Sequence, residues 1–293
     1  MSTFYEKLQA NNAAGRYACA GLDPVDSKIP EDLRALWEND TLIAWCTFLY
    51  ELIRASETHA AAFKPNLAFF LARGYRGLRF LEDVCQHIHD TAPHALLILD
   101  MKVGDIADTN AGYVEFAFNI CKADAITIHP YLGYEAMKPF LADPNRGAFV
   151  LAKTSNPGSG EFQDLLVQES GLPLYAHVSR NIQRHWNENA NCGLVVGATY
   201  PTQLEKVVVV APNLPILIPG IGKQGGDLET IVRAVTSNGP STPFILNQSS
   251  GFMYASGGED FAEAGAKVLQ KMNEGVQNIL SPVIADDATV VPS

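Results

Sequence analysis

Short apolar runs, each closing on a polar or conformationally special residue, recur along the chain. ACAGLD (18–23), AAAFK (60–64), ALLILD (95–100) and AITIHP (125–130) come first, and AFVLAK (148–153), GLVVGA (193–198), PILIPG (215–220) and PFILNQ (243–248) follow, eight in all. Their near-continuous apolarity suits strands buried on both faces of a parallel sheet, since a half-exposed antiparallel strand would alternate. Between them, apolar residues return at helical spacing. The spacing predicts helices over 41–56, 76–90, 111–122, 135–142, 202–211 and 227–235, and a last one over 258–280. Eight strand–helix alternations in 293 residues predict an α/β fold of the (β/α)8 TIM barrel type, with a doubly wound open sheet as the alternative. One barrel domain would take residues 1–280, with SPVIADDATVVPS (281–293) as a tail partly disordered by composition. SNPGSGEF (155–162) reads as a long loop after the fifth strand.

Charge and cysteine usage narrow the setting. Lys and Arg number 21 against 32 Asp and Glu, and the bases are scattered, so a net charge of -11 repels nucleic acid and anionic membranes. No apolar stretch approaches the roughly 18 residues needed to span a bilayer, and MSTFYEKLQANN lacks the plan of a signal peptide. A cytoplasmic protein is expected. Cys19, Cys46, Cys85, Cys121 and Cys192 are odd in number and form no C-x-x-C pair, which fits reduced, mostly buried thiols.

In a barrel, catalytic groups stand at the carboxyl ends of the strands. Asp23, Lys64, Asp100, Lys102, Lys153 and Asn247 all fall there, making a polar ring. Asp100 and Lys102 are two apart and share a face while the backbone stays extended, and Asp105 falls in the following loop. A lysine beside carboxylates stays protonated even when partly desolvated, as a general acid must. A structural ion-pair network is the plainer reading of D-x-K-x-x-D, a pattern expected by chance in roughly one such sequence in twenty.

PGIGKQGGDLE (219–229) contains G-x-G-x-x-G as Gly220, Gly222 and Gly225. A dinucleotide site is rejected, because the match sits in the seventh unit and the residues from Ser237 to Ser241 offer no acid for a ribose. Barrels often hold phosphate after strands seven and eight, so this loop and NQSSG (247–251) suit that role, with a tight turn as the alternative. Cys85 and His89 stand four apart on one predicted helix with His87 between them, but no third metal ligand is evident. His129 closes the fourth strand, either lining the pocket or satisfied structurally.

Six stretches in order, CAGLDP (19–24), FKPN (63–66), LDMKVGDIADT (99–109), LAKTSNPGSGEFQ (151–163), GLVVGA (193–198) and PGIGKQGGD (219–227), resemble the orotidine 5'-phosphate decarboxylases in their longer, type 2 form. The resemblance implies a reaction free of cofactor and metal that converts orotidine 5'-phosphate to uridine 5'-phosphate, the last step of de novo UMP synthesis. It places Lys64, Asp100, Lys102 and Asp105 in an alternating charged tetrad with Lys102 as proton donor. It also implies a homodimer in which Asp105 and Thr109 enter the neighbouring subunit's pocket. Asp23 and Lys64 would hold ribose hydroxyls, Ser155 the pyrimidine, and Asn66 would support the site. Gly222, Lys223 and Gln224 would meet phosphate with Ser249 and Ser250.

One departure stands out. Where the family has arginine in N-x-S-R-G, this chain reads Asn247-Gln248-Ser249-Ser250-Gly251. A hydroxyl supplies neither the charge nor the fork of a guanidinium, and Lys223, beside Gln224, is the candidate to compensate. Three other readings stand beside the decarboxylase: a non-phosphorylated, orotidine-like substrate, a nucleotide-binding relative without turnover, and magnesium-dependent chemistry on a sugar phosphate, which related barrels run with D-x-K-x-x-D. The SNPGSGEFQ loop disfavours the last, and the intact tetrad disfavours the binder.

Overall fold

The computed structural model describes residues 3–36, 40–221, 227–239 and 242–281. The eight apolar runs form eight parallel strands: β1 (Ala18–Leu22), β2 (Ala60–Pro65), β3 (Leu96–Val103), β4 (Ala125–Ile128), β5 (Gly147–Lys153), β6 (Cys192–Val196), β7 (Ile216–Pro219) and β8 (Phe244–Gln248). They close in the order β1-β8-β7-β6-β5-β4-β3-β2. Because β1 pairs with β8 (Cys19 opposite Asn247) and also with β2 (Gly21 opposite Lys64), the sheet has no edge, which removes the open-sheet alternative. The barrel interior is filled by side chains that include Cys19, Ala62, Ile98, Phe149, Leu217 and Ile245, as expected of a packed core rather than a pore.

The helix predicted over 41–56 is Thr41–Ser56, started by Asp40, whose side chain accepts from Leu42 N. Trp45, Phe48, Leu49, Leu52 and Ile53 are buried at i, i+3, i+4, i+7 and i+8, so one apolar stripe faces the sheet. The last helix, Phe261–Leu280, packs beside it. From that helix the Asn273 Oδ1 accepts from Tyr17 N (2.8 Å) and Ala18 N (3.0 Å), fixing the entry to β1. The helix predicted over 111–122 starts earlier, at Ala107, and turns π-helical over Glu115–Ile120, with Cys121 N donating to Phe116 O at 2.9 Å.

Further helical segments lie outside the predicted set. Phe4–Ala13 opens on a capping box, Thr3 with Glu6, and seats Phe4 and Leu8 under the barrel, where Phe4 meets Phe149 edge-on at 5.3 Å. Lys7 pairs with Asp124 at 2.8 Å on the same side. After β5, the long loop holds a short helix, Gly160–Gln163, and a small hairpin of Leu166–Val167 with Leu172–Pro173, before a helix over Leu174–Asn181. Among the described residues, no helix is long and apolar enough to cross a membrane. Of the tail expected over 281–293, only Ser281 is among the described residues.

Candidate active site

A cavity of about 570 Å³ opens at the carboxyl ends of the strands. At its base Asp100 accepts from two ammonium groups, Lys64 Nζ on Oδ2 and Lys102 Nζ on Oδ1, each at 2.6 Å. The Thr127 hydroxyl, from β4, donates to Oδ1 at 2.8 Å. Asp100 and Lys64 are buried, whereas the Lys102 side chain is 48% exposed. The chain of charge thus runs from the packed interior to open space and ends on Lys102.

The meeting of Asp100 with Lys102 does not come from the simple pleat that the two-residue spacing suggested. Pairing with β4 shifts between Leu99 and Val103, and Lys102 sits at φ 50° in the left-handed region. Met101 N and Lys102 N both donate to Thr127 Oγ1 at 3.0 Å, so this one hydroxyl holds the bulge and the carboxylate together.

Burial alone would raise the Asp100 carboxyl, but the ammonium of Lys64 and then that of Lys102 override it and hold the group well below the usual carboxylate range. Burial likewise works to lower Lys64, and Asp100 followed by Asp23 reverses this and raises it. The signs of the linkage are opposite. The depressed Asp100 stabilises the fold above its unfolded pKa of about 3.9 and loses this as pH falls through the folded value, while the raised Lys64 contributes below about 10.4 and loses this as pH rises past its folded value. From about pH 5 to about pH 9 both groups keep their charge. The carboxylate carbon of Asp100, assigned by its loss in Asp100→Asn, is therefore expected to show no titration by NMR across that range, and a step there would refute the assignment.

The remaining groups enclose the space above. Asp23 lines the cavity, and its Oδ1 is buried with no hydrogen-bond partner among the described residues. Asn66 lines it too while capping the helix Leu67–Leu71 by accepting from Ala68 N at 3.1 Å. Ser155, Ser249 and Ser250 also line it. Ser249 lies so close to β1 that a Cβ on Gly21 would collide with its hydroxyl. Gly222, Lys223 and Gln224 lie outside the described residues.

Three expectations, two at strand ends and one on a helix, are corrected or narrowed. Lys153 does not line the cavity: it is fully buried, with Nζ on Asp164 Oδ1 (2.8 Å) and Oδ2 (2.9 Å) and 4.5 Å from the centre of the Tyr200 ring. A register shift between Leu151 and Lys153 breaks the alternation that would have turned it inward. His129 takes the structural role, with its ring against Gly104 and Nε2 3.1 Å from Gly104 O. Of the helical group, His87 stacks on Tyr50 at 4.1 Å and His89 Nε2 lies 3.1 Å from Lys122 O. Sequence reasoning missed Thr127, Thr154, Asn156 and Gln163 as cavity residues. The only signal for Thr127 was a hydroxyl inside an apolar run.

A family model described as the orotidine 5'-phosphate decarboxylase / HUMPS family matches residues 17–242. The chain belongs to this family. It is 39% identical over 281 residues to the orotidine 5'-phosphate decarboxylase of Janthinobacterium sp. (strain Marseille), covering 95% of this chain and 100% of that one. With the enzyme of the same name from Thermomicrobium roseum it shares 41% over 283 residues, covering 96% and 97%. The structure of Leishmania donovani OMP decarboxylase superposes with a TM-score of 0.76 at 33% identity, covering 94% of this chain and 98% of that one.

For an orotidine 5'-phosphate decarboxylase family member, the position of Asp105 is informative. It is absent from its own chain's cavity; its Oδ1 accepts from Ile106 N at 2.7 Å, and Asn110, fully buried, brackets its backbone at 2.9 and 2.7 Å. Thr109 is exposed on the same turn. Ile106, Tyr131 and Leu132 present apolar side chains to solvent on the neighbouring loops.

Proposed function

We infer that the chain removes the carboxylate from C6 of the orotate ring of orotidine 5'-phosphate, giving uridine 5'-phosphate and carbon dioxide. The observation that carries this reading is the Lys64–Asp100–Lys102 chain, which delivers one fixed ammonium from a buried carboxylate into the cavity. As the C6–carboxylate bond breaks, its electron pair stays on C6. The Lys102 ammonium stabilises that developing charge and then gives C6 a proton, and water later restores the proton to the lysine. Asp100 repels the substrate carboxylate before the bond breaks, and by accepting from the Lys102 ammonium at Oδ1 it keeps Lys102 aimed.

Around this centre, Asp23 and Lys64 hold ribose hydroxyls, in keeping with the unpartnered Asp23 Oδ1. Ser155 faces the pyrimidine and Asn66 supports the site. Ser249 and Ser250 meet phosphate together with Gly222, Lys223 and Gln224, and the charge that Ser250 lacks is assigned to Lys223. Phosphate, remote from C6, contributes binding energy used to order the site. Two chains form a homodimer in which Asp105 and Thr109 of each complete the other's pocket, which suits an Asp105 turned away from its own cavity and flanked by exposed Ile106.

The test is loss of orotate absorbance on purified protein given orotidine 5'-phosphate and orotidine side by side. Turnover at least about 100-fold faster on the phosphorylated compound, in kcat/KM, is expected from one charge-recognised anion. Equal rates would mean that phosphate is not recognised, and no turnover of either would leave a nucleotide-binding relative. Relatives near 40% identity that carry the decarboxylase name disfavour both outcomes.

A further inference from the structure

The loop that follows β5 brings Thr154, Ser155, Asn156 and Gln163 to the cavity, so its position sets the shape of one wall. It leaves the barrel at Lys153 and is drawn back to that same residue at Asp164. Lys153 is fully buried, and Asp164 is its carboxylate partner, with both oxygens within 2.9 Å. The Tyr200 ring lies beneath the ammonium at 4.5 Å, and the Tyr200 hydroxyl takes a hydrogen bond from Ser159 at 3.2 Å. One residue before Asp164, the Gln163 amide closes on Thr154 twice, accepting from its N and donating to its Oγ1, each at 2.9 Å. Gly160 leaves room for this, since a Cβ there would stand 2.8 Å from Asp164 Oδ2.

We propose that Lys153 and Asp164 are positioning residues: a latch between a rigid strand end and the far end of the loop, holding Ser155 and Gln163 in place against the substrate's base. A buried ammonium has a strong requirement for its partner, whereas Asp164 is 45% exposed and belongs to the loop. The ion pair therefore pulls the loop shut before any ligand arrives, which is preorganisation of a binding wall. The effect on substrate rests on the decarboxylase reading, whereas the latch itself is testable without it.

Phe162, Leu165 and Leu166 are exposed on this loop and offer chymotrypsin its preferred side chains. In Asp164→Asn, native-state cleavage here is expected to rise at least about tenfold, since proteolysis tracks the open population. KM for orotidine 5'-phosphate is expected to rise at least about tenfold with kcat within about threefold, the pattern of lost uniform binding. A general loss of fold would instead lower kcat through the active fraction and leave KM alone. Cleavage at the wild-type rate overturns the latch, and faster cleavage with unchanged KM overturns its positioning role. If Asp164→Asn does not fold, Lys153→Met with Asp164→Ala removes the latch without leaving an unpaired buried charge, and is read in the same two ways. Absence of turnover in the wild type would sink the decarboxylase reading, while the cleavage rates still decide the latch.

Discussion

Lys102→Ala is expected to lower kcat by at least about 10⁴-fold, because in the mechanism proposed above it removes the proton donor and the charge that stabilises the carbanion together. The fold should survive, since the Lys102 side chain is 48% exposed and the buried Asp100 keeps the Lys64 ammonium and the Thr127 hydroxyl as partners. Lys102→Arg separates the two roles. A guanidinium keeps the positive charge but does not release a proton near neutral pH, so it should restore part of the electrostatic effect and leave a deficit of at least about 100-fold. Single-turnover decay of orotate absorbance, with circular dichroism as the folding control, measures both variants. Alanine retaining more than about a tenth of the wild-type rate would remove Lys102 from the chemistry.

The second large effect falls on stability. Asp100→Ala leaves Lys64 buried beside the cavity without the carboxylate on which its ammonium rests. Breaking a buried pair from one side costs about 3–5 kcal/mol, which for a chain of this size lowers Tm by roughly 6–20 °C. The same substitution frees the Thr127 hydroxyl and the Lys102 ammonium, so activity is lost with it. Adding Lys64→Met should recover stability while leaving activity at the floor, because the penalty belongs to the unpaired charge. Thermal unfolding of the two singles and the double decides this. Strictly additive losses would show that Lys64 and Asp100 do not depend on each other.

The parts of this molecule that could be read from its sequence are those where burial writes a continuous pattern. The eight strands announce themselves because both faces of a closed parallel sheet are covered, and Thr41–Ser56 does so because five buried residues repeat at helical spacing. Asp100 and Lys102 were visible as charges ending an apolar run. The bulge that joins them was not, because it depends on a hydroxyl 25 positions away in β4, and an isolated threonine in a strand looks like any β-branched residue. Lys153 was misplaced for a related reason: alternation predicts an inward side chain only while register holds, and here it slips. The helix Phe4–Ala13 escaped notice although Thr3 and Glu6 carry a capping signal, since its buried face is only Phe4, Leu8 and Asn11.

That small buried face has a consequence for traffic. With Phe4 and Leu8 stoppering the base of the barrel and Phe149 meeting Phe4 edge-on, the reaction chamber is shut at that end among the described residues. Among the described residues, nucleotide and gas then pass at the opposite end, over the carboxyl ends of the strands. Any selectivity over what enters, and any delay in what departs, is therefore concentrated at the rim, in the short segments that link strands to helices.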